Sequence, residues 1–406
     1  MRILFVHELA GFQGGAEANV HQVAGAFAAQ GHQVDLLYAR AQGATRTRFL
    51  EPFENHGEFG TLQQAVARRP DAVYVHKTSD LGMLRQLVTS GLPLVRMVHD
   101  HDIYCQRSSR YFPWNRSICT RRAGYACAMT CGVVRNQNGK LPFKLAWPGR
   151  KLAEIKICRQ FQTHIVQTGY MKSELVLHGF DPSGIRVLPV APQQGHIGAK
   201  DNYRSPNILF VGQLIRGKGV DFLLRALATV RDLATGQDWK CTIAGEGSHL
   251  EHCRGLAAEL GLDGQVTFAG RLGRDQLEAA YQEARLGVVP SVWPEPMGMV
   301  GLEFMWASLP VVAFDVGGIS HWLEHGETGF LAAPRDTDSL AAGIARLLDD
   351  QALAEQMGRR AREIAEAKYR HDHYIDHLLG ILREATASGA APRRVDELPQ
   401  LEPSTT

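Results

Sequence analysis

Two glutamates in the stretch "PEPMGMVGLEFMW", Glu295 and Glu303, are separated by seven residues that include Pro296 and Gly298. Proline suits the first turn of a helix, which would put Glu295 near the N-cap and Glu303 inside the helix. Positions eight apart then differ by about 12 Å along the axis and roughly 80° around it. That is too far for two carboxylates sharing a proton, but it suits two acceptors gripping different hydroxyl-bearing parts of one extended ligand. The turn "VGQLIRGKGV" carries Gly212, Arg216 and Lys218 just ahead of a helical pattern, and two cations beside a helix N-terminus suit a diphosphate. Another turn, "GFQGGAE", places Gly14 and Gly15 before a helix, where glycine lets backbone N–H groups approach a phosphate. Neither turn is a GxxxxGK[ST] loop or a full GxGxxG fingerprint, and each taken alone is equally an ordinary strand-to-helix turn. "MVHDHDIYCQR" sets His99 at the carboxyl end of a strand, followed by Asp100, His101 and Asp102, while His7 and Glu8 end the first strand.

Four of the seven cysteines, Cys105, Cys119, Cys127 and Cys131, fall within 27 residues in the pattern C-x13-C-x7-C-x3-C. Four thiolates could hold a structural zinc, but the paired CxxC knuckles of most zinc sites are absent, so free thiols and disulfides stay open beside it. The same region is strongly basic. Cys105 to Arg159 holds twelve Lys/Arg against Glu154 alone, a local charge of +11 that leaves −9 for the rest of a chain whose net charge is +2. Such a segment attracts phosphates or an anionic membrane, or is a solvated basic face. "VVRNQNGKLPFKLAWPGRKLAEIKICRQ" interleaves cations with Leu, Phe, Trp and Ile, as a membrane-surface segment or a core-packing helix with snorkelling cations would.

These residues are set on alternating strand and helix patterns. "RILFVH", "HQVDLLYA", "DAVYVHK" and "PLVRMVHD" are short apolar strands separated by helical stretches, and "THIVQTG" and "IRVLPVA" resume the series after the basic insert. Alternation of this kind implies a mostly parallel sheet covered by helices. The same grammar repeats from "NILFVGQL" through "WKCTIAGEG", "QVTFAG", "LGVVPSV" and "LPVVAFDVGG". At 406 residues two domains are expected. The boundaries read as 1–191 for an N-terminal domain with a basic, Cys-rich insert at 103–160, 192–206 for a linker, and 207–370 for a C-terminal domain. A helix at 371–385 is expected to pack back toward the first domain, and 386–406 is a Pro-, Ser- and Thr-rich tail expected to be disordered. No apolar run is long enough to span a bilayer and no signal-peptide pattern occurs, so a cytoplasmic protein is expected, with the inner face of the membrane as the alternative.

The ordered set of motifs resembles the family 4 retaining glycosyltransferases. "GGAE", "MVHD", "VGQLIRGKGVDFLL", "IAGEG", "VTFAGRL", the Glu-x7-Glu of "PEPMGMVGLE" and "DVGGISHWLEHGETGFL" follow in the family's order and cover most of the chain outside the insert and the tail. The resemblance implies the GT-B fold, an α/β architecture of two doubly wound Rossmann-like domains facing a central cleft. It implies a hexosyltransferase that moves a sugar, with retention, from a UDP-, GDP- or ADP-sugar to a hydroxyl of a glycan or lipid-linked acceptor, in cell-envelope or exopolysaccharide assembly.

By that resemblance Glu303 binds the ribose hydroxyls, and Glu295 with the backbone of Met297, Gly298 and Met299 binds the donor sugar. Lys218 and Arg216 neutralise the diphosphate, Gly14, Gly15 and Gly212 approach it by backbone, and the base rests near Gly270, Arg271 and Leu272. His99 reaches the transferred sugar. No cofactor is required for catalysis, and nucleic acid is not an expected partner. Two positions depart from the family pattern: Gln213 stands where an Arg is usual, and Met297 where an aromatic is usual. A sugar-nucleotide epimerase of the same fold and a non-catalytic sugar-nucleotide-binding partner are the alternative readings.

Overall fold

The computed structural model describes residues 1–41, 43–112, 114–135, 143–145, 147–192, 197–200, 202–233 and 238–389. Parts of the expected linker (193–196 and 201), of the basic insert (113, 136–142 and 146) and most of the expected tail (390–406) lie outside the described residues.

The chain divides into two units. The first comprises Met1–Arg110, Thr120–Val190 and the chain from Asp372 on; the second comprises Tyr111–Cys119 and Ala191–His371. Among the described residues, nine strands belong to the first unit: β1 Arg2–Ala10, β2 Gln33–Ala41, β3 Asn55–Glu58, β4 Ala72–Val75, β5 Leu94–Val98, β6 Val133–Arg135, β7 Phe143–Leu145, β8 Thr163–Val166 and β9 Ile185–Val187. Seven of them form one sheet in the order β3-β2-β1-β4-β5-β8-β9, parallel at every pairing, and β6 and β7 form a small antiparallel pair. β4 and β5 are buried along their full length, as strands covered on both faces must be, which is why they read as unbroken apolar runs. Phe5 of β1 meets Phe27, Phe53 and Tyr74 edge-on and anchors this core. The helix His371–Ala387 contributes Tyr374, whose hydroxyl accepts from Asn19 Nδ2 at 3.2 Å.

The second unit holds β10 Asn207–Val211, β11 Lys240–Ala244, β12 Val266–Gly270, β13 Ala284–Val289, β14 Val311–Phe314 and β15 Gly329–Ala332. Their order is β12-β11-β10-β13-β14-β15, again parallel throughout. In both sheets the winding reverses beside the unit's first strand, between β1 and β4 and between β10 and β13. That reversal opens a crevice at the strands' carboxyl ends, where open α/β sheets bind ligands. Both units are therefore doubly wound Rossmann-like sheets. Among the described residues no helix is long and apolar enough to cross a membrane.

One stretch of the basic insert, Tyr111–Cys119, packs with the second unit. It turns back on itself through a Tyr111–Ile118 bridge, and Arg116 reaches Asp221 with Nη1 at 2.9 and 2.7 Å from the two carboxylate oxygens. The Arg116 guanidinium also lies over the Phe222 ring at 5.4 Å, and Ile118 packs on the core.

Candidate active site

In the second unit the turn after β10 folds as a short helical turn, Arg216–Lys218, that ends at Gly219 and leads into the helix Val220–Leu233. Gly219 has φ +67°, and a Cβ there would stand 1.9 Å from the Pro290 carbonyl oxygen, so the turn lies directly against the loop that follows β13. Val292 N–H donates to the Gly217 carbonyl at 2.9 Å and closes that contact. The result brings Lys218 onto Glu295, with Nζ 2.7 Å from Oε1. Ser291 Oγ and Trp293 Nε1 donate to the same oxygen at 2.5 and 2.7 Å, and Lys218 also lies over the Trp293 ring. Burial alone would raise the Glu295 carboxyl, but the Lys218 charge and these three hydrogen bonds outweigh it and hold the group below its usual range.

The helix after this loop begins at Met299, not at Pro296. Gly298 precedes it in the left-handed region at φ +80°, and the segment before it is pinned elsewhere: Glu295 bridges to Gly317, and Gly318 N–H donates to the Glu295 carbonyl at 2.7 Å. Glu295 is thus a loop residue, and the helical spacing expected for the two glutamates does not apply to it. Glu303 does lie inside the helix, and its Oε2 accepts from the Tyr281 hydroxyl at 2.7 Å. Burial raises the Glu303 carboxyl more than this hydrogen bond lowers it.

Met297 is buried, and its carbonyl accepts from Trp322 Nε1 at 2.7 Å. Arg216 is exposed and forms no ion pair among the described residues, and Gln213 beside it is exposed as well. Gly270 closes β12, its carbonyl accepting from Gly245 N–H at 2.7 Å, with Arg271 exposed after it. Gly212 N–H donates to the Ala244 carbonyl, so its amide is engaged in the sheet and not open to a phosphate.

The first unit gathers a second set of polar groups where β1, β4, β5 and β8 end side by side. Gly14 precedes the helix Gly15–Ala29, and its N–H donates to Glu17 Oε2 at 2.8 Å. His7 Nδ1 accepts from the Lys77 backbone N–H at 3.3 Å, so the ring proton is on Nε2, which donates to Glu17 Oε1 at 3.3 Å. His99 follows β5, with Nε2 2.9 Å from Nδ1 of His76 at the end of β4 and its carbonyl accepting from Gln167 Nε2 at 3.3 Å. Burial foremost, then the neighbouring His7, lowers the His99 imidazole to about 3, so it is neutral at physiological pH. Lys77 Nζ pairs with Asp100 at 2.8 Å and with Asp102 at 3.8 Å. Burial and the Asp100 charge push Asp102 upward, whereas Lys77 overcomes burial to hold Asp100 down. His101 points into the core and meets the Tyr104 hydroxyl at 2.7 Å, a packing role.

Sequence reasoning left Glu17, His76, Lys77 and Gln167 without roles. Each stands at or just beyond the carboxyl end of a central strand or in the first turn of a helix, and parallel order of the strands was the signal that could have found them.

Among the described residues no three of Cys105, Cys119, Cys127 and Cys131 bring their sulfurs within 4.8 Å of one another, so they form no zinc cluster. Burial raises the Cys131 thiol, and Gln106 Nε2 donates to the carbonyls of Cys127 and Cys131, not to any thiol. The three residues whose donor atoms do come within 4.8 Å of one another, among the described residues, are Asp221, His249 and His252. There the Arg116 guanidinium already supplies the positive charge that a cation would bring.

Two doubly wound units, one carrying a cationic turn against a buried glutamate, define a GT-B glycosyltransferase architecture. Residues 199–364 match the family of glycosyl transferases group 1, and residues 13–191 match glycosyltransferase family 4. The chain belongs to this glycosyltransferase family.

It is 33% identical over 189 residues to an uncharacterized glycosyltransferase of Methanocaldococcus jannaschii; the match covers 47% of each, so the chain spans about half the length of that relative. It is 26% identical over 373 residues to the glycogen synthase of Mycobacterium tuberculosis, covering 86% of both. The crystal structure of Anabaena HepE in complex with UDP and glucose superposes with a TM-score of 0.71 at 18% identity, over 95% of this chain and all of that one.

Proposed function

We propose that the protein is a retaining glycosyltransferase that moves a hexose from a nucleoside diphosphate sugar to a hydroxyl of a glycan or lipid-linked acceptor in cell-envelope or exopolysaccharide assembly. The observation that carries this reading is the Lys218–Glu295 pair. It keeps Glu295 ionised although only 3% of the residue is exposed. The three donors from Lys218, Ser291 and Trp293 converge on Oε1, leaving Oε2 to accept from a sugar hydroxyl.

An ammonium has three N–H donors, so Lys218 can hold Glu295 and still face a diphosphate oxygen. Exposed Arg216 on the same turn adds a second cation, and the helix Val220–Leu233 adds its N-terminal dipole. Two cations near a helix start stabilise charge as it develops on the departing diphosphate. The backbone of Met297, Gly298 and Met299 borders the sugar, Glu303 accepts from the ribose hydroxyls, and the base lies by Gly270, Arg271 and Leu272. Gly15 approaches the phosphates by backbone, the Gly14 N–H being held by Glu17 Oε2, and His99 meets the transferred sugar.

Retention follows if the diphosphate leaves from the face of the anomeric carbon that the acceptor hydroxyl enters. The bond from C1 to the phosphate oxygen breaks, the bond from C1 to the acceptor oxygen forms, and the leaving phosphate takes the acceptor proton. No protein nucleophile is required, and the chain's part is positioning and charge stabilisation. A UDP donor is favoured by the UDP and glucose held by the Anabaena structure. The basic insert, with exposed Tyr125, Met129 and Trp147, suits an acceptor presented at an anionic membrane surface.

The test is incubation of the protein with UDP-, GDP- and ADP-hexoses and a panel of glycan and polyprenyl-phosphate-linked acceptors, followed by NMR of the anomeric proton. The reading requires a product with the donor's anomeric configuration. An epimerised donor, or nucleotide binding without any turnover, would reject it.

A further inference from the structure

His76 is wholly buried beside His99, and its surroundings fix it in one orientation. The backbone N–H donates to the Val6 carbonyl at 2.8 Å. Phe5 stacks on the ring at 5.6 Å with planes 13° apart, the His99 ring lies nearly coplanar with it, edge to edge, at 5.2 Å and 17°, and Tyr74 and His7 meet it edge-on. The ring has one hydrogen bond, from Nδ1 to His99 Nε2 at 2.9 Å, and its Nε2 is buried with no hydrogen-bond partner.

That pattern selects a tautomer. Two neutral rings joined by one hydrogen bond leave a choice of which nitrogen carries the shared proton. If His99 donated, the proton on His76 would have to sit on Nε2, an N–H orphaned in the core; a bare lone pair there is the less costly state. His76 therefore carries its proton on Nδ1 and donates it, so Nε2 of His99 is the acceptor and the His99 proton is on Nδ1. Among the described residues Nδ1 of His99 has no hydrogen-bond partner, and His99 is partly exposed.

We propose that His76 is a positioning residue that holds His99 as a neutral Nδ1–H donor for the transferred sugar. This rests on the proposed contact between His99 and that sugar. A neutral donor matters because positive charge develops at the anomeric carbon as the diphosphate leaves, and an imidazolium nearby would oppose it. The other charged and titratable groups facing His99 are His7, Glu17, Lys77 and Asp100. The Lys77 charge and the adjacent His7 disfavour protonation; Asp100 and Glu17 favour it but are occupied by Lys77 and His7.

The direct test is long-range 1H–15N NMR of the intact protein labelled in histidine, with the His99 signals assigned by His99→Ala. Wild type should show His99 protonated on Nδ1 and unprotonated on Nε2, unchanged from pH 8 to pH 5. An Nε2–H tautomer in wild type would overturn the proposal without any variant of His76.

His76→Asn keeps an N–H donor near the position of Nδ1 and should preserve that signature. His76→Leu should mix the tautomers and move the His99 titration up toward the ordinary histidine range. In turnover, read as release of nucleoside diphosphate from UDP-, GDP- or ADP-glucose, His76→Leu should lower kcat about tenfold at pH 6 with KM little changed, and His76→Asn should restore it. A His76→Leu protein that folds and keeps the wild-type tautomer and pH profile would overturn the positioning role. Wild-type turnover in His99→Ala would instead overturn the contact with the sugar on which it rests.

Discussion

Lys218 Nζ lies 2.7 Å from Oε1 of Glu295, and this pair joins the cationic turn after β10 to the loop after β13. It exists because the turn and the loop approach within backbone contact at Gly219 and Pro290. The chemistry of the turn and the position of the glutamate are therefore set together.

Replacing Lys218 by Met removes the charge and leaves Glu295 buried. The loss is expected to be about 2–3 kcal/mol, at the low end for breaking a buried pair because Lys218 keeps some exposure. In wild type the depressed Glu295 pKa contributes stability above the ordinary carboxylate range that is lost on acidification. Without Lys218 the strongest influence opposing burial is gone and the Glu295 pKa moves up, so the variant's stability deficit grows as pH rises through the range in which Glu295 ionises. Urea unfolding at pH 5 and pH 8 should show the larger deficit at pH 8; a deficit independent of pH would contradict the pairing.

Glu303 carries a raised pKa, and Tyr281 is the group that opposes the rise. If the carboxylate accepts from the ribose, nucleotide affinity should fall on acidification as Glu303 protonates. Tyr281→Phe should move that fall to higher pH, because it removes the donor that favours the charged form. Calorimetry with UDP at pH 5.5 and pH 8 measures the shift, and identical pH dependence in both proteins would exclude Glu303 from the contact.

Gly219→Ala should lower stability by at least about 2 kcal/mol, since it adds both left-handed backbone strain and a Cβ 1.9 Å from the Pro290 carbonyl oxygen. The readout is the urea midpoint together with nucleotide affinity. Because the clash separates the turn from the loop, affinity should drop with stability; a stable variant that binds normally would show that the contact is dispensable.

Acid should destabilise the first unit through its neutral histidines. His99 is lowered to about 3 and His178 to about 4, both by burial first, and His76 lies well below its usual value. A depressed histidine contributes stability above the unfolded value near 6.5 that is lost as pH falls. Each should contribute a slope of up to about 1.4 kcal/mol per pH unit below pH 6.5. Unfolding free energies at pH 7 and pH 5 test this, and His76→Asn should reduce the slope.

The sheets were legible because a parallel strand buried on both faces is an apolar run of about five residues, as in "NILFV" or "AVYV". The place of Glu303 inside a helix and of Lys218 on a turn was legible because both are set by local sequence. The position of Glu295 was not, since a left-handed Gly298 and a bridge to Gly317, over twenty residues on, decide where the helix starts. His76 and Glu17 were hidden for a related reason: their partners, His99 and His7, come from other strands, and only strand order brings them together. The four cysteines looked like a set by proximity in sequence, yet the turn Tyr111–Cys119 carries Cys119 to the second unit through contacts made by Arg116 and Ile118.

The central claim is that the turn Arg216–Lys218 receives the diphosphate of a nucleotide sugar. Calorimetric titration of the intact protein with UDP, GDP and ADP tests it most directly, compared with Arg216→Ala, an exposed position whose loss should leave the melting temperature unchanged. At least one nucleotide should bind one to one, and the variant should bind it about tenfold more weakly, as expected for loss of one charge-assisted phosphate contact. Absence of binding by all three, or equal affinity in the variant, would contradict the claim.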